Sequence, residues 1–374
     1  MPNFSTEHFR LRPSVSLVPM PDKEKFQFFL SDIRQSFNMA IKEDFYLEIL
    51  TSLDGTKSFN KIVSDYKLNQ KEVRGLNLFF ELLIERCVLE DLDIVSNRIN
   101  HPFRRVVNFI GSYIPYHAVT AAYEKITNSH AVIIGAGGVG SWVVMQLAQM
   151  GIKNFTIIDD DVVKPHNLNR SIFSLSQLNQ YKASSIKEQL KTKKKGYYSV
   201  VPILEKVDSA KRLLTHLENL PATSVLINCA DYPSVAQTSA IIHDAAFEKN
   251  IPYMIAGGYN MHLSLVGPTI IPHRSPCFHC ISHGMDQLHI AEIDQAERVV
   301  KQHRNLGNLA PLAAISASFI SNECLKLLLD CPKVPPTMLG KRGEFNFFTK
   351  KLSLEEYDYW EECSFCTPKE LRIG

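Results

Sequence analysis

The reading turns on residues 131–170, AVIIGAGGVGSWVVMQLAQMGIKNFTIIDDDVVKPHNLNR. An apolar strand at 131–134 runs into a glycine turn, Gly135-Ala136-Gly137-Gly138-Val139-Gly140, and a helical pattern follows to about residue 150. A second strand at 155–158 ends in Asp159-Asp160-Asp161. Strand, glycine turn, helix, strand and acid make the nucleotide-binding half of a doubly wound α/β fold. The glycines let backbone approach a polyphosphate, and the free N–H groups that open the helix face its charge. The acid at the end of the second strand stands where ribose hydroxyls can be bonded.

On its own this pattern suits NAD. The sequel, Asn167-Leu168-Asn169-Arg170, turns it toward triphosphate chemistry. A guanidinium just past the acidic turn neutralises phosphate charge as pyrophosphate leaves, and hydride transfer has no such need. No His or Tyr motif for hydride handling is evident either.

Alternation of strand and helix continues downstream. A helix is expected at 178–193, strands within 199–207 and at 224–229, a helix at 235–248, and a strand at 252–256 leading into Gly257-Gly258-Tyr259. Parallel αβ alternation places a ligand at the carboxyl ends of the strands. Gly135, Asp159, Asp231 and Gly257 all fall at such ends, so they converge on one site.

The chain has 374 residues, enough for two domains and a large core. Hydrophobic residues make up 45% and charged residues 21%, an ordinary globular balance. A formal net charge of +2 gives no bulk attraction to nucleic acid or membrane. The uninterrupted apolar runs are short for a bilayer, and MPNFSTEHFR lacks the apolar core of a signal peptide, so a cytoplasmic protein is expected. Eight cysteines include two CxxC pairs, Cys277/Cys280 and Cys363/Cys366. In a cytosolic chain such pairs suit four tetrahedral thiolate ligands of a structural Zn²⁺ better than disulfides. Cys324 lies in an apolar helix at 312–329, and Cys229 ends a strand. Neither they nor Cys87 has a neighbouring base to activate a thiol.

Residues 1–98 have another texture. Short strands at 9–12 and 14–19 precede helices at 43–53, 59–66 and 70–86, and a strand at 88–94 follows. Asn69 is a good N-cap for the third helix. This order suggests a small α+β winged-helix module. The third helix carries Lys71, Glu72, Arg74, Glu81, Glu85 and Arg86, a mixed face unlike a phosphate-tracking stripe. An extended peptide added to the sheet edge fits better than DNA. The plainer alternative is a module that only supports a dimer.

GAGGVG, the DxD, NLNR, Lys182 opening the next helix and Asp231 in INCADYP together resemble the ubiquitin-activating-enzyme-like, or ThiF-like, adenylating superfamily. The resemblance spans about 100–366 and is strongest for the branch that matures ribosomal peptide antibiotics. It implies an ATP site made by Gly135, Gly137, Gly138, Gly140, Asp159, Asp161, Asn167, Asn169, Arg170, Lys182 and Asp231. Lys182 is then the phosphate lysine and Asp231 the Mg²⁺ ligand. Arg104 matches the place of an arginine that reaches the nucleotide of the opposite subunit of a homodimer, although FRRVVNF departs from the usual pattern there; the alternative is a solvated Arg104–Arg105 pair. Acceptor cysteines of some relatives have no counterpart in 281–309, which carries Arg298, Lys301, His303 and Arg304 instead, so no thioester relay is expected. LTSLDGTKSFNKIV resembles PqqD-like precursor-recognition elements.

The expected organisation is therefore a peptide-recognition module at 1–98 and an adenylating domain at 99–374 with a zinc-tied tail. The expected reaction is ATP- and Mg²⁺-dependent adenylation of a carboxylate in a leader-bearing precursor peptide. The resemblance implies a glutamate side chain and subsequent cyclisation. Two alternatives stay open: a non-catalytic peptide-presenting partner, and a sulfur-carrier-protein adenylyltransferase.

Overall fold

A computed structural model describes residues 4–21, 25–41, 43–98, 101–256, 258–260, 262–293 and 307–366. The chain divides into two compact units, Met1–Glu124 and Lys125–Gly374. The 99–124 segment, placed with the adenylating domain above, thus groups with the N-terminal residues.

In the first unit, β1 (Phe9–Leu11) pairs antiparallel with β5 (Leu89–Asp91). A separate meander joins β2 (Val15–Pro19), β3 (Lys25–Leu30) and β4 (Gln35–Ala40). Helices α1 (Asp44–Ser52), α2 (Phe59–Asp65) and α3 (Gln70–Glu85) lie between. The α3 helix starts at Asn69 because of a reciprocal capping box. The Asn69 carboxamide oxygen accepts from the N–H of Lys71 and Glu72 at 2.9 and 3.1 Å, and the Glu72 carboxylate accepts from the Asn69 N–H at 2.8 Å. The helix buries Leu76, Phe80, Leu83 and Ile84. Phe80 meets Phe9 and Phe59 edge to face at 5.1 and 5.5 Å, which ties helix, strand and α2 together.

The strand expected at 88–94 stops at Asp91. Its carboxylate accepts from the N–H of Asp93 and Ile94 and so caps α4 (Leu92–Ser96). A cap residue inside the mixed apolar and acidic stretch VLEDLDI ended the strand. Helices α5 (Arg104–Ile110) and α6 (Val119–Asn128) follow.

The second unit is built on a six-stranded sheet. Its parallel strands are β6 (His130–Ile134), β7 (Asn154–Ile158), β8 (Ser199–Ile203), β9 (Ser224–Asn228) and β10 (Tyr253–Ile255). The helices between them are α7 (Gly138–Met150), α8 (Lys182–Lys193), α9 (Ala210–Thr215) and α10 (Val235–Lys249). β11 (Tyr259–Asn260) and β12 (Leu263–Val266) begin a second sheet, and β13 (Thr269–Ile270) adds antiparallel to β10. The large sheet runs β13-β10-β9-β6-β7-β8. The chain leaves β6 toward β7 and β8, then returns to the other side of β6 for β9 and β10. The crevice between the β6 and β9 ends is thus a topological switch point, where open α/β sheets bind ligands. Near-continuous apolar runs in β6, β7 and β9 follow from burial on both faces.

Helix α11 (Phe278–Ile293), helix α12 (Ala310–Leu329) and the hairpin of β14 (Lys341–Asn346) and β15 (Lys351–Glu356) complete the unit. α12 has the length and composition to cross a membrane, more than the uninterrupted apolar runs suggested, but 61% of its apolar window is buried. It packs along α7, with Gln146 donating to Ser318 at 3.1 Å.

Removing the Phe80 ring should destabilise the first unit by about 3–5 kcal/mol, the cost of an aromatic cavity. Leu78, on the same helix but 55% exposed, should tolerate alanine within about 0.5 kcal/mol. Calorimetry of the Phe80→Ala and Leu78→Ala proteins separates the two, and equal losses would contradict the packing described.

Candidate nucleotide site and cysteine cluster

β6 delivers the chain to the crevice and Gly135 turns it, with φ at +89°. A Cβ here would stand 2.7 Å from the Ala230 nitrogen in the loop after β9. A Cβ on Gly140 would overlap the Gly135 carbonyl. Only glycine lets α7 start this close to the strand ends. Gly137 has open space above it. The start of α7, at Gly138, therefore presents unpaired N–H groups to the crevice.

Asp159 stands at the end of β7 and spans the turn. Its carboxylate accepts from the N–H of Ala136 at 2.6 Å and of Asp161 at 2.9 Å. Burial raises its pKa above the ordinary range, and Lys182 and the two N–H donors pull the other way. The acidic turn is pinned to the next helix by an isolated bridge between Val162 and Tyr181. The N–H of Lys182 also donates to the Asp161 carbonyl at 3.0 Å. That pairing seats Lys182, only 7% exposed, with its ammonium 2.8 Å from Asp161. Lys164 reaches the same carboxylate at 2.9 Å. Burial opposes ionisation of Asp161, but these two cations outweigh it and hold its pKa at about 2.

Two adjoining cavities, of about 400 and 280 Å³, open here. Both are lined by Gly137, Asp161, Lys182 and Asp231. The smaller adds Gly138, Asn167 and Arg170, and the larger adds Gly135 and Asp159. Arg170 donates one guanidinium N–H to the His166 carbonyl at 2.8 Å, while its Nε is buried with no partner. Trp142 of α7 fixes the turn by donating to the Arg170 carbonyl at 3.2 Å. Among the described residues no hydrogen bond engages the exposed Asp231 carboxylate. The loop that carries it is shaped by buried Asn228, which donates to Thr238 and Ser239 and accepts from the Ala230 N–H.

The structure thus brings together Gly135, Gly137, Gly138, Gly140, Asp159, Asp161, Asn167, Arg170, Lys182 and Asp231. Asn167 is buried, and its side-chain oxygen caps the Lys164 N–H at 2.9 Å, so its amide holds the turn. Asn169 is exposed, donates to the Asn308 carbonyl at 3.4 Å, and is not among the residues that line the two cavities. Arg104 opens α5 in the other unit. Gly257, Arg298, Lys301, His303 and Arg304 lie outside the described residues. Sequence reasoning missed Lys164 and Asn228. A lysine three residues past the DxD, and an asparagine closing an otherwise apolar strand, were the available signals.

The four cysteines of the two CxxC pairs come together and are buried. Their sulfurs lie 3.4 Å (Cys277–Cys363), 3.4 Å (Cys280–Cys366) and 3.7 Å (Cys277–Cys280) apart. A tetrahedron with Zn–S bonds of ~2.3 Å has edges of roughly 3.8 Å, so the donor set and its size fit zinc. Cys280 sits in the first turn of α11 and Cys363 just past Trp360, so a metal there would tie the tail to the core. Cys324 is buried in apolar surroundings that push its thiol up, as an inert core cysteine requires; Cys229 is half-buried and lines both cavities, and desolvation pushes its thiol up as well.

The depressed Asp161 pKa carries a pH signature. Its contribution to stability is complete above the ordinary carboxylate value of 3.8 and is lost as pH falls toward about 2. An Asp161→Asn protein should therefore show a flatter decline of Tm between about pH 4 and 2 than the wild type. Parallel declines would mean that the lysine pair does not bias the carboxylate.

The sulfur carrier protein ThiS adenylyltransferase of Bacillus subtilis is 27% identical over 215 residues, which are 55% of this chain and 56% of that protein. The chain therefore spans little more than half of that relative's length. Among solved structures, MccB of Escherichia coli with ATP superposes with a TM-score of 0.69 at 19% identity, covering 96% of this chain and 99% of that one. PaaA superposes with a TM-score of 0.65 at 20% identity, covering 93% and 100%. At these identities the likeness speaks for the fold. The profile of the ThiF family matches residues 114–363, well over half of the sequence and all of the crevice, and the chain belongs to the ThiF family.

Proposed function

We propose that the protein is an ATP-dependent adenylyltransferase acting on a carboxylate of a ribosomally made precursor peptide. The observation that carries this is the lining of the smaller cavity. One glycine turn, the buried Lys182 ammonium, the Arg170 guanidinium with an unengaged Nε, and an unengaged carboxylate at Asp231 surround one space. That set is built for a triphosphate. The carboxylate oxygen attacks the α-phosphorus, its bond to oxygen breaks toward pyrophosphate, and an acyl-adenylate remains. Arg170 and Lys182 neutralise the charge that develops. Asp231 would hold Mg²⁺, which supplies further charge neutralisation on the phosphates when bound. Arg104 of a partner copy is proposed to complete this set in a homodimer.

The peptide class rests on the fold neighbours. MccB has been solved with MccA and a nucleotide analogue, and PaaA shares its architecture. The first unit then serves as a winged-helix, PqqD-like recognition module, whose β2-β3-β4 sheet offers edges for an added peptide strand. Resemblance to the peptide-antibiotic branch extends this to a glutamate side chain, an internal amide nitrogen that displaces AMP and loses its proton, and a ring. The runner-up, adenylation of a sulfur-carrier protein, would use the same crevice and is favoured by the ThiS-adenylating relative.

ATP–pyrophosphate exchange tests the reading. Peptide-dependent exchange should appear with the cognate precursor and fall at least 100-fold in Lys182→Ala and Asp231→Ala, roughly the range for a lost electrostatic donor. Exchange stimulated only by a ubiquitin-like carrier protein would select the runner-up, and absence of ATP binding would leave a peptide-presenting partner. For the cysteine cluster, elemental analysis should find one zinc per chain. Cys363→Ser should lower both metal content and Tm, and full stability without metal would refute the site.

A further inference from the structure

We propose that His243, His279 and Asp244 form a second metal site, beside the cysteine cluster, for a divalent transition ion such as Zn²⁺ or Co²⁺. His243 is fully buried in α10, and His279 is half-buried in the first turn of α11. Asp244 follows His243 and is exposed. One ring nitrogen of each histidine and a carboxylate oxygen of Asp244 lie within 4.8 Å of one another. None of the three lines the nucleotide cavities, so the site stands apart from the nucleotide reading.

His243 spends only one nitrogen inside the protein: its Nδ1 is 2.8 Å from the Tyr253 hydroxyl. Its Nε2 is buried with no partner, and so is Nε2 of His279. A buried polar atom left unpaired is costly, and native folds keep few of them. Here two occur on neighbouring imidazoles whose ring centres are 4.7 Å apart. Two imidazoles on one tetrahedral ion, with bonds of ~2.0 Å, place their ring centres roughly 5 Å apart. Phe365 holds the pair, stacked on His279 at 4.8 Å and edge-on to His243 at 4.5 Å. Fully buried Tyr253 acts as the outer-shell partner of a metal-binding imidazole does, orienting the His243 ring and leaving Nε2 for the ion. Two imidazoles and one carboxylate suit Zn²⁺, Co²⁺ or Ni²⁺, whereas Mg²⁺ favours oxygen ligands. Three protein ligands leave a position for water, which the exposure of Asp244 allows. The cysteine cluster accounts for the one zinc of the purified chain, and the second site fills when ion is added.

The test adds Co²⁺ to the full chain with zinc in its cysteine cluster, and follows uptake by equilibrium dialysis and visible absorption. One further ion per chain should bind, with the d–d bands of a nitrogen and oxygen ligand set and without the sulfur-to-cobalt charge-transfer band of a cysteine site. Asp244→Asn, a change at an exposed position, and His279→Gln should each weaken this uptake roughly tenfold or more while the cysteine-bound zinc is retained. Tyr253→Phe should weaken it by about 10–100-fold, the range for a lost outer-shell partner. A wild-type chain that takes up no second ion, uptake marked by the sulfur-to-cobalt band, or unchanged uptake in either Asp244→Asn or His279→Gln would overturn the site.

Discussion

Two backbone segments approach each other at the end of β6 with no room for a side chain between them. A Cβ at Gly135 would meet the Ala230 backbone, and one at Gly140 would meet the Gly135 carbonyl. Because both are glycine, the first turn of α7 can sit directly over the β6–β9 crevice. The carboxylate of Asp159 then reaches the Ala136 N–H and holds the turn open from the β7 side. Asn228 does the same from the β9 side, by locking the 229–231 loop onto α10. The helix N-terminus, the acid and Asp231 face one space because these contacts fix the path of the chain.

Charge is distributed around that space with purpose. Lys182 is nearly buried, and a buried ammonium is stable only with an anion at hand. Asp161 fills that place, with Lys164 on its far side. Arg170 remains under-satisfied at Nε, and its neighbours in the turn are already committed to one another. A phosphate group entering the cavity would meet cations that are positioned in advance, so little reorganisation accompanies binding.

The cysteine cluster performs a different task with the same economy of means. The four cysteines form a small buried cluster between the tail and the start of α11, with Phe247, Tyr359 and Trp360 packed against it. Aromatic residues close around them, with Phe365 stacked on His279 at 4.8 Å and Trp360 on His283 at 4.5 Å.

Much of this was legible in the residues themselves. A left-handed turn and a helix start against backbone demand glycine, so Gly135 to Gly140 could be read without a structure. Asn69 announced a helix start, and the CxxC pairs announced a ligand set, because both depend on short-range geometry. The β3–β4 hairpin and α4 escaped, the latter because Asp91 caps a helix from within VLEDLDI, where acidic residues alternate with apolar ones. The β14–β15 hairpin escaped although Leu352 and Leu354 alternate with polar residues along β15, a strand whose residues are all exposed. What the sequence determined by itself was local: which backbone turns are possible, and which atoms can bind a phosphate or a metal. What tertiary structure alone decided was company. Lys206 meets Tyr232 because the crossover at β6 sets a strand order that brings the loops after β8 and β9 to one mouth. That order follows from how helices cover the sheet, which no single stretch of residues encodes.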